Sequence, residues 1–144
     1  MKKVLITVLV VFFILITMLA IMLKVAMENE KVVTNFNAEY EQYLGKTIYG
    51  TDVTSLINKA IDNNEKNKIQ KDENGLYIDD GKTSIKIELN MITVERTFQM
   101  EQLYNADIIE FVSNFNLINF KCTNIEYHNS TKRVSKLVFE QLEK

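Results

Sequence analysis

Residues 4–23 read VLITVLVVFFILITMLAIML, and no charged side chain interrupts them. An α-helix rises about 1.5 Å per residue, so about 20 residues span the roughly 30 Å hydrocarbon core of a bilayer. A helix that is apolar on every side must be covered on every side, which a small domain cannot do. The stretch therefore predicts one membrane-spanning helix.

A cleaved secretory signal peptide is the alternative for this stretch, because Lys2-Lys3 forms a basic start. Signal peptides normally have an apolar core of about 7–15 residues, followed by a cleavage site of small residues. If cleavage followed Ala20 or Ala26, the −3 position would hold Met18 or Lys24, and both residues are poor at that position. We expect residues 1–27 to form a cytoplasmic tip and an uncleaved anchor, and cleavage stays open.

The basic residues around the apolar stretch predict its orientation. Lys2, Lys3 and the terminal amine precede it, whereas only Lys24 and Lys31 follow closely. Flanking positive charge stays on the cytoplasmic side of a membrane. We therefore expect a single-pass protein of the cell membrane with a cytoplasmic N-terminus and a C-terminal domain outside.

The chain after Met27 is acidic, with 14 basic against 19 acidic residues and a formal net charge of −5. An acidic surface without a basic stripe disfavours nucleic acid as a partner and is repelled by anionic lipid. About 100 residues suffice for one domain. We expect that domain at 28–144, with the apolar helix as its contact with the membrane.

The first part of this domain has helical spacing. Residues 28–44 predict a helical stalk that packs on the domain, because their apolar positions recur at steps of three and four. These positions are Val33, Phe36, Tyr40, Tyr43 and Leu44. Gly45 is expected to end the stalk.

A second helix is predicted after Gly50, with Thr51 or Asp52 as its N-cap. Its apolar residues follow the pattern of an amphipathic helix. They are Val53, Leu56, Ile57, Ala60 and Ile61. The polar run 62–67 is expected to end the helix and form a loop.

The remainder predicts short strands and one more helix. A short strand is expected at Leu76–Ile78, and an alternating strand over Ser84–Val94 with its apolar side chains inward. Further elements are an extended piece with Phe98, Met100 and Leu103, a helix capped by Asn105 with Ile108, Ile109, Val112 and Phe115, and closing strands around 118–127 and 134–139. This order predicts an α+β fold, with an antiparallel sheet of about four strands and helices packed on it.

Two residues with nucleophilic or basic side chains are expected to be inert. Cys122 has no partner for an intrachain disulfide, and it lies on the apolar side of a predicted strand. Burial there raises the pKa of a thiol. His128, the single histidine, falls in a predicted turn, and we expect it to face water.

The acidic turn 72–80 resembles a calcium loop in composition but not in spacing. If Gly75 is the sixth loop residue, Gln70 and Gly81 occupy ligand positions that require Asp and Glu. We expect a solvated turn, and weak cation binding stays open. No phosphate loop, serine elbow or His/Cys metal spacing is present, so we predict no catalytic, cofactor-binding or metal residue and no cofactor.

Two stretches carry a resemblance. The first runs from Phe36 through GKTIYGTDV at 45–53 to Ile57, and the second contains FKCT at 120–123 and IEYH at 125–128. They resemble uncharacterised small membrane-anchored proteins of low-GC Gram-positive bacteria. The resemblance implies a location and a fold, and it carries no activity and no site.

The architecture is also similar to that of pilins and pseudopilins, in which a helix lies half in the membrane and half on a sheet. The usual leader-peptidase site and the glutamate after it are missing here. We expect a pilin-like structural or assembly component of the bacterial envelope, with possible self-association through the membrane helix or the Tyr40/Tyr43 face. An accessory module that binds one partner in a membrane complex is the alternative, and an enzyme using Asp79, Asp80 and Glu88 is the third hypothesis.

Overall fold

A computed structural model describes the backbone of residues 2–105 and 108–143, and the side chains of these residues except 108–110. The chain divides into two compact units, Met1–Asn35 and Phe36–Lys144. Helix α1 (Lys2–Glu41) makes up the described part of the first unit and supplies the first residues of the second.

The first unit contains the apolar helical segment. Among the described residues, α1 is the one helix long and apolar enough to cross a membrane. None of the residues in its apolar stretch is buried. The hydroxyls of Thr7 and Thr17 donate to the carbonyls of Lys3 and Ile14, at 3.0 and 2.8 Å. These two hydroxyls therefore need no hydrogen-bond partner outside the helix, which is what a lipid environment would require. The same length and composition also fit a signal sequence.

The second unit is an α+β fold, as the sequence predicts. Its strands are β1 (Thr47–Tyr49), β2 (Lys86–Met91), β3 (Arg96–Gln99), β4 (Asn119–Tyr127) and β5 (Val134–Gln141). They form one sheet in the order β1-β4-β5-β2-β3. All neighbours are antiparallel except β2 and β5, which are parallel.

The sheet is mostly antiparallel, as predicted, and it differs from the prediction of about four strands in two details. The sheet has five strands. The sequence did not predict β1, because a strand of three residues is too short to show an alternating pattern. The β2–β5 pair is parallel because the chain crosses over between these strands through β3, two short helices and β4. Sequence periodicity does not report which strands become neighbours.

The helices of this unit are α2 (Gly50–Lys66), α3 (Met100–Asn105) and α4 (Ile108–Phe115). Helix α2 packs against the sheet and contacts both shorter helices. Its apolar side chains are buried as predicted, and they meet the inward face of β2. That face consists of Ile87, Leu89 and Met91, with Ile85 just before the strand.

The opposite face of the sheet is polar. Lys136 on β5 lies 3.4 Å from the Glu88 carboxylate on β2 and 3.0 Å from the Glu126 carboxylate on β4. Gln99 on β3 donates to Glu88 at 3.2 Å. One layer of helices therefore covers one face of the sheet, and a network of polar side chains lies on the other.

Helix α1 ends at Glu41, earlier than the predicted Leu44. Residues 42–45 form a turn, and Gly45 takes the left-handed φ of 73°. Tyr40 is 1% exposed, and Phe36 and Tyr43 pack partly against the core, which confirms the core interpretation for these three. Leu44 is 52% exposed, so the prediction is wrong for that position.

Helix α2 differs from its prediction at both ends. Its N-cap is Tyr49, and the Asp52 carboxylate accepts the Tyr49 N–H at 3.3 Å, so Thr51 and Asp52 lie inside the first turn. The helix starts early because the Gly50 N–H donates to the carbonyl of Ile118. It continues to Lys66 through most of the run predicted as a loop, because Asn63 and Asn64 in that run donate to carbonyls of the segment before β2.

One predicted extended piece is wrong, and a second is confirmed only as far as Gln99. Leu76–Ile78 forms no strand: Tyr77 makes a single bridge to Lys71, and its N–H donates to the Glu101 carboxylate at 2.9 Å. The second piece is a strand up to Gln99 and continues as α3, which contains Met100 and Leu103 and ends at Asn105. The predicted capping of the next helix by Asn105 involves residues 106–107, which lie outside the described residues. The predicted core positions at 108 and 109 lie outside the described side chains.

Replacing Gly50 by Ala is expected to destabilise the protein strongly. A Cβ at this position would lie 2.1 Å from the carbonyl oxygen of Phe115, so backbone must move. Overpacking of this kind costs about 1–3 kcal/mol or more. Urea unfolding of the full chain in detergent, followed by circular dichroism, measures the loss. The matched control is Thr51→Ala in the exposed first turn, where a loss of similar size would contradict the steric explanation.

Candidate functional site

Cys122 is a buried thiol, as predicted. It is fully buried in β4, and burial raises its pKa to about 11, although a hydrogen bond with the backbone of Asn124 opposes the shift. A thiol in this state is a poor nucleophile. Cys122 is also absent from the group of side chains that gather around His128.

His128 is buried, so the prediction of a water-exposed turn histidine is wrong. Its residue is 3% exposed, and its Nε2 lies 2.7 Å from the Ser84 carbonyl oxygen. The turn folds back onto the loop before β2, where Ser130 donates to the Gly81 carbonyl and Thr131 to the Lys82 carbonyl. These contacts cover the imidazole, and they join parts of the chain that are far apart in sequence.

The acidic turn 72–80 separates into two independent structures. Asp72 accepts the N–H groups of Asn74 and Leu76, both at 2.9 Å, and closes a local turn around Gly75. Asp79 and Asp80 belong instead to the loop that leads into β2. Asp79 and Asp80 are exposed, as expected of a solvated turn, but their carboxylates also accept hydrogen bonds from the backbone of residues 81–84.

Asp79 is the centre of this second half. Its Oδ1 accepts the Gly81 N–H and the Ser84 hydroxyl, each at 2.8 Å, and lies 3.4 Å from Nδ1 of His128. The Gly81 hydrogen bond lowers the pKa of Asp79 despite partial burial, with further help from Ser84, His128 and Lys86. Its side chain is 60% exposed, whereas that of His128 is 1% exposed.

Asp80 holds the backbone of the same loop. Its Oδ1 accepts the N–H groups of Lys82, Thr83 and Ser84 at 2.7–2.9 Å, and its Oδ2 accepts the Thr83 hydroxyl at 2.7 Å. Burial opposes ionisation, but these hydrogen bonds outweigh it and hold the pKa of Asp80 well below its usual value. We define the group formed by Asp79, Asp80 and His128 as the Asp–His cluster.

The Asp–His cluster does not have the form of an acid–base pair. Both Asp79 and Asp80 have lowered pKa values, whereas a general acid and base require values that are pushed apart. The hydroxyl of Ser84 is buried and donates to Asp79 rather than to a base. Glu88 lies on the polar face of the sheet with Lys136, so the three carboxylates do not form one pocket.

Asn64 is the residue of this region that sequence reasoning missed. It is fully buried, its Nδ2 donates to the Ile85 carbonyl at 2.8 Å, and its Oδ1 accepts the Ile85 N–H at 2.9 Å. The neighbouring Asn63 donates to the Thr83 carbonyl at 2.9 Å. A signal was available, because Asn64 continues the buried spacing of Ala60 and Ile61.

The geometry defines an α+β domain that follows a candidate membrane helix, with a buried histidine and two carboxylates at one edge of its core. No known protein family, no curated protein and no solved structure matches this chain.

Replacing Asn64 by Leu is expected to cost about 2–4 kcal/mol of unfolding free energy, because two backbone groups of Ile85 lose their partner in a buried place. Urea unfolding in detergent measures the change. Asp62→Ala, one helical position away from the buried face and exposed, is the matched control. A loss below about 1 kcal/mol for Asn64→Leu would show that Ile85 finds other partners.

Acid is expected to destabilise the domain through Asp79 and Asp80. Because their folded pKa values are lowered, their contribution is present above the unfolded pKa near 4, and it is lost as the pH falls towards the folded values. Unfolding free energies measured from pH 7 down to pH 2 test this. Asp80→Asn should reduce the acid-dependent loss, and an unchanged pH profile would contradict the assignment.

Proposed function

We propose that this protein is a membrane-anchored structural or assembly component of the bacterial envelope, with its N-terminus in the cytoplasm and its folded unit outside. The observation that carries the proposal is the uninterrupted apolar segment 4–23, none of which is buried. The positive charge of Lys2 and Lys3 before this segment supports the orientation.

The state of the reactive side chains supports a role without catalysis. In the described part of the chain, the Cys122 thiol is buried with a raised pKa, and the Ser84 hydroxyl is buried and donates to a carboxylate. His128 has no free access to solvent, since its side chain is 1% exposed. These groups contribute to packing and hydrogen bonding, which is what a structural component requires.

The folded unit limits where self-association can take place. Tyr40 lies in the core, and Phe36 and Tyr43 pack against it, so this face is occupied within the protomer. Self-association of a pilin-like assembly would then use the membrane helix or the polar face of the sheet. Helix α2, rather than the stalk, covers most of the apolar face of the sheet.

An accessory module that binds one membrane-complex partner is the second candidate, and one feature favours it. Ile92 and Val94 are 49% and 56% exposed on the turn between β2 and β3, beside a cavity of about 180 Å³. The turn lies near the C-terminal end of β5. Asn37 contacts Val134 at the N-terminal end of the same strand. Because β5 has eight residues, the exposed turn and Asn37 are about 25 Å apart along the strand.

Cross-linking of intact cells with a membrane-impermeant, amine-reactive reagent tests both orientation and association. We expect modification of the exposed Lys46 and Lys121 and none of Lys2 or Lys3, because only the folded unit is reachable. A regular ladder of the chain with itself supports the structural role. Mass spectrometry of the membrane fraction should also detect the peptides of residues 1–27, since an uncleaved anchor retains them.

The double variant Ile92→Ser and Val94→Ser separates the two candidates. A single cross-linked band with a different protein that disappears in this variant supports the accessory module. Ile78→Ser is the matched control, since Ile78 is 48% exposed at another site. Modification of Lys2 and Lys3 in intact cells, or loss of residues 1–27 from the mature chain, would overturn the proposed anchoring.

A further inference from the structure

The hydrogen bond of His128 fixes which ring nitrogen carries a proton. Its Nε2 lies 2.7 Å from the Ser84 carbonyl oxygen, which can only accept. In the neutral ring, Nε2 therefore carries the hydrogen and Nδ1 presents a lone pair. Nδ1 lies 3.4 Å from Oδ1 of the Asp79 carboxylate, at ion-pair distance. Two electron-rich atoms face each other, and this arrangement requires a cation or a proton between them.

The separation of these atoms matches that of two ligands on one metal ion. A charge-assisted N–H···O bond to a carboxylate has a length of about 2.7–2.9 Å, whereas Nδ1 and Oδ1 are 3.4 Å apart. Ligands at about 2.0–2.1 Å from a tetrahedral zinc ion are separated by about 3.4 Å. Nδ1 of His128 and Oδ1 of Asp79 are therefore spaced like two ligands of a tetrahedral zinc ion.

Two further features fit metal coordination. Asp79, Asp80 and His128 each offer one ligand atom, and these atoms lie within 4.8 Å of one another. Metal-binding histidines usually donate their other ring N–H to a carbonyl or carboxylate, as His128 does to Ser84. The Asp79 side chain is 60% exposed, which gives an ion and its remaining water ligands access from solvent.

We propose that the Asp–His cluster binds a divalent transition-metal ion, with Zn²⁺ as the ion that its ligands suit best. One imidazole nitrogen and two carboxylates form a borderline ligand set, whereas Ca²⁺ and Mg²⁺ prefer oxygen ligands alone. The ion would join the loop before β2 to the turn before β5. Binding would thus tighten the folded unit, and the role is independent of the function proposed above.

Thermal unfolding of the full chain tests the proposal, using chelator-treated protein in detergent with a histidine-free tag. Because a ligand that binds only the folded state raises stability, we expect saturating ZnCl₂ to raise Tm by about 4–8 °C, and CaCl₂ to have little effect. Co²⁺ should give the visible absorption of a tetrahedral site. Asp79→Asn should abolish both responses, since the amide retains an acceptor for Gly81 but loses the charge.

Asp72→Asn is the matched control, because Asp72 also accepts two backbone N–H groups and lies outside the cluster. It should keep the full response to Zn²⁺. A second variant, His128→Gln, is expected to lose the Co²⁺ absorption. If His128→Gln does not fold, Asp79→Asn still decides the test. No Tm shift with Zn²⁺, or an equal shift in Asp79→Asn, would overturn the proposal and leave a protonated His128 paired with Asp79.

Discussion

The double hydrogen bond between the Asn64 amide and the backbone of Ile85 is the contact on which the rest of the domain depends. Ile85 is fully buried at the point where the chain enters β2, and no strand partner is available there for its N–H and C=O groups. A side-chain amide offers one donor and one acceptor in the same plane, so it replaces a neighbouring strand. Helix α2 is thereby fixed in position and height on the sheet.

The polar groups next to Ile85 follow from this arrangement. With Ile85 held by α2, the preceding Ser84 has its carbonyl directed at His128 and its hydroxyl at Asp79. The turn before β5 is held from the other side by Asn37, which donates to the Lys132 carbonyl at 2.8 Å and accepts the Val134 N–H at 2.9 Å. Amide side chains on two helices thus fasten two loops, and the Asp–His cluster lies between those loops.

The accuracy of the sequence-based predictions depended on how local each feature is. The strand that carries Ile87, Leu89 and Met91 and the helix that carries Leu56 and Ile57 are both present, because their apolar periodicity is an internal property of the segment. The short strand β1 and the parallel β2–β5 pair were missed because they depend on distant partners. The prediction for His128 failed for the same reason: the turn around it looks solvated until the loop at 79–84 is placed beside it.

The sequence by itself determined the apolar helix, the α+β class, the buried thiol of Cys122 and the inward faces of the main strands. Each of these is set by side-chain hydrophobicity at a fixed local spacing. Tertiary structure alone decided that Asn64 and His128 are buried and that Asp79 meets the imidazole. Helical spacing marks the position of Asn64 as inward-facing, but it does not show that a polar side chain can be buried there. Burial of a polar side chain becomes favourable only when groups from distant segments satisfy its hydrogen bonds.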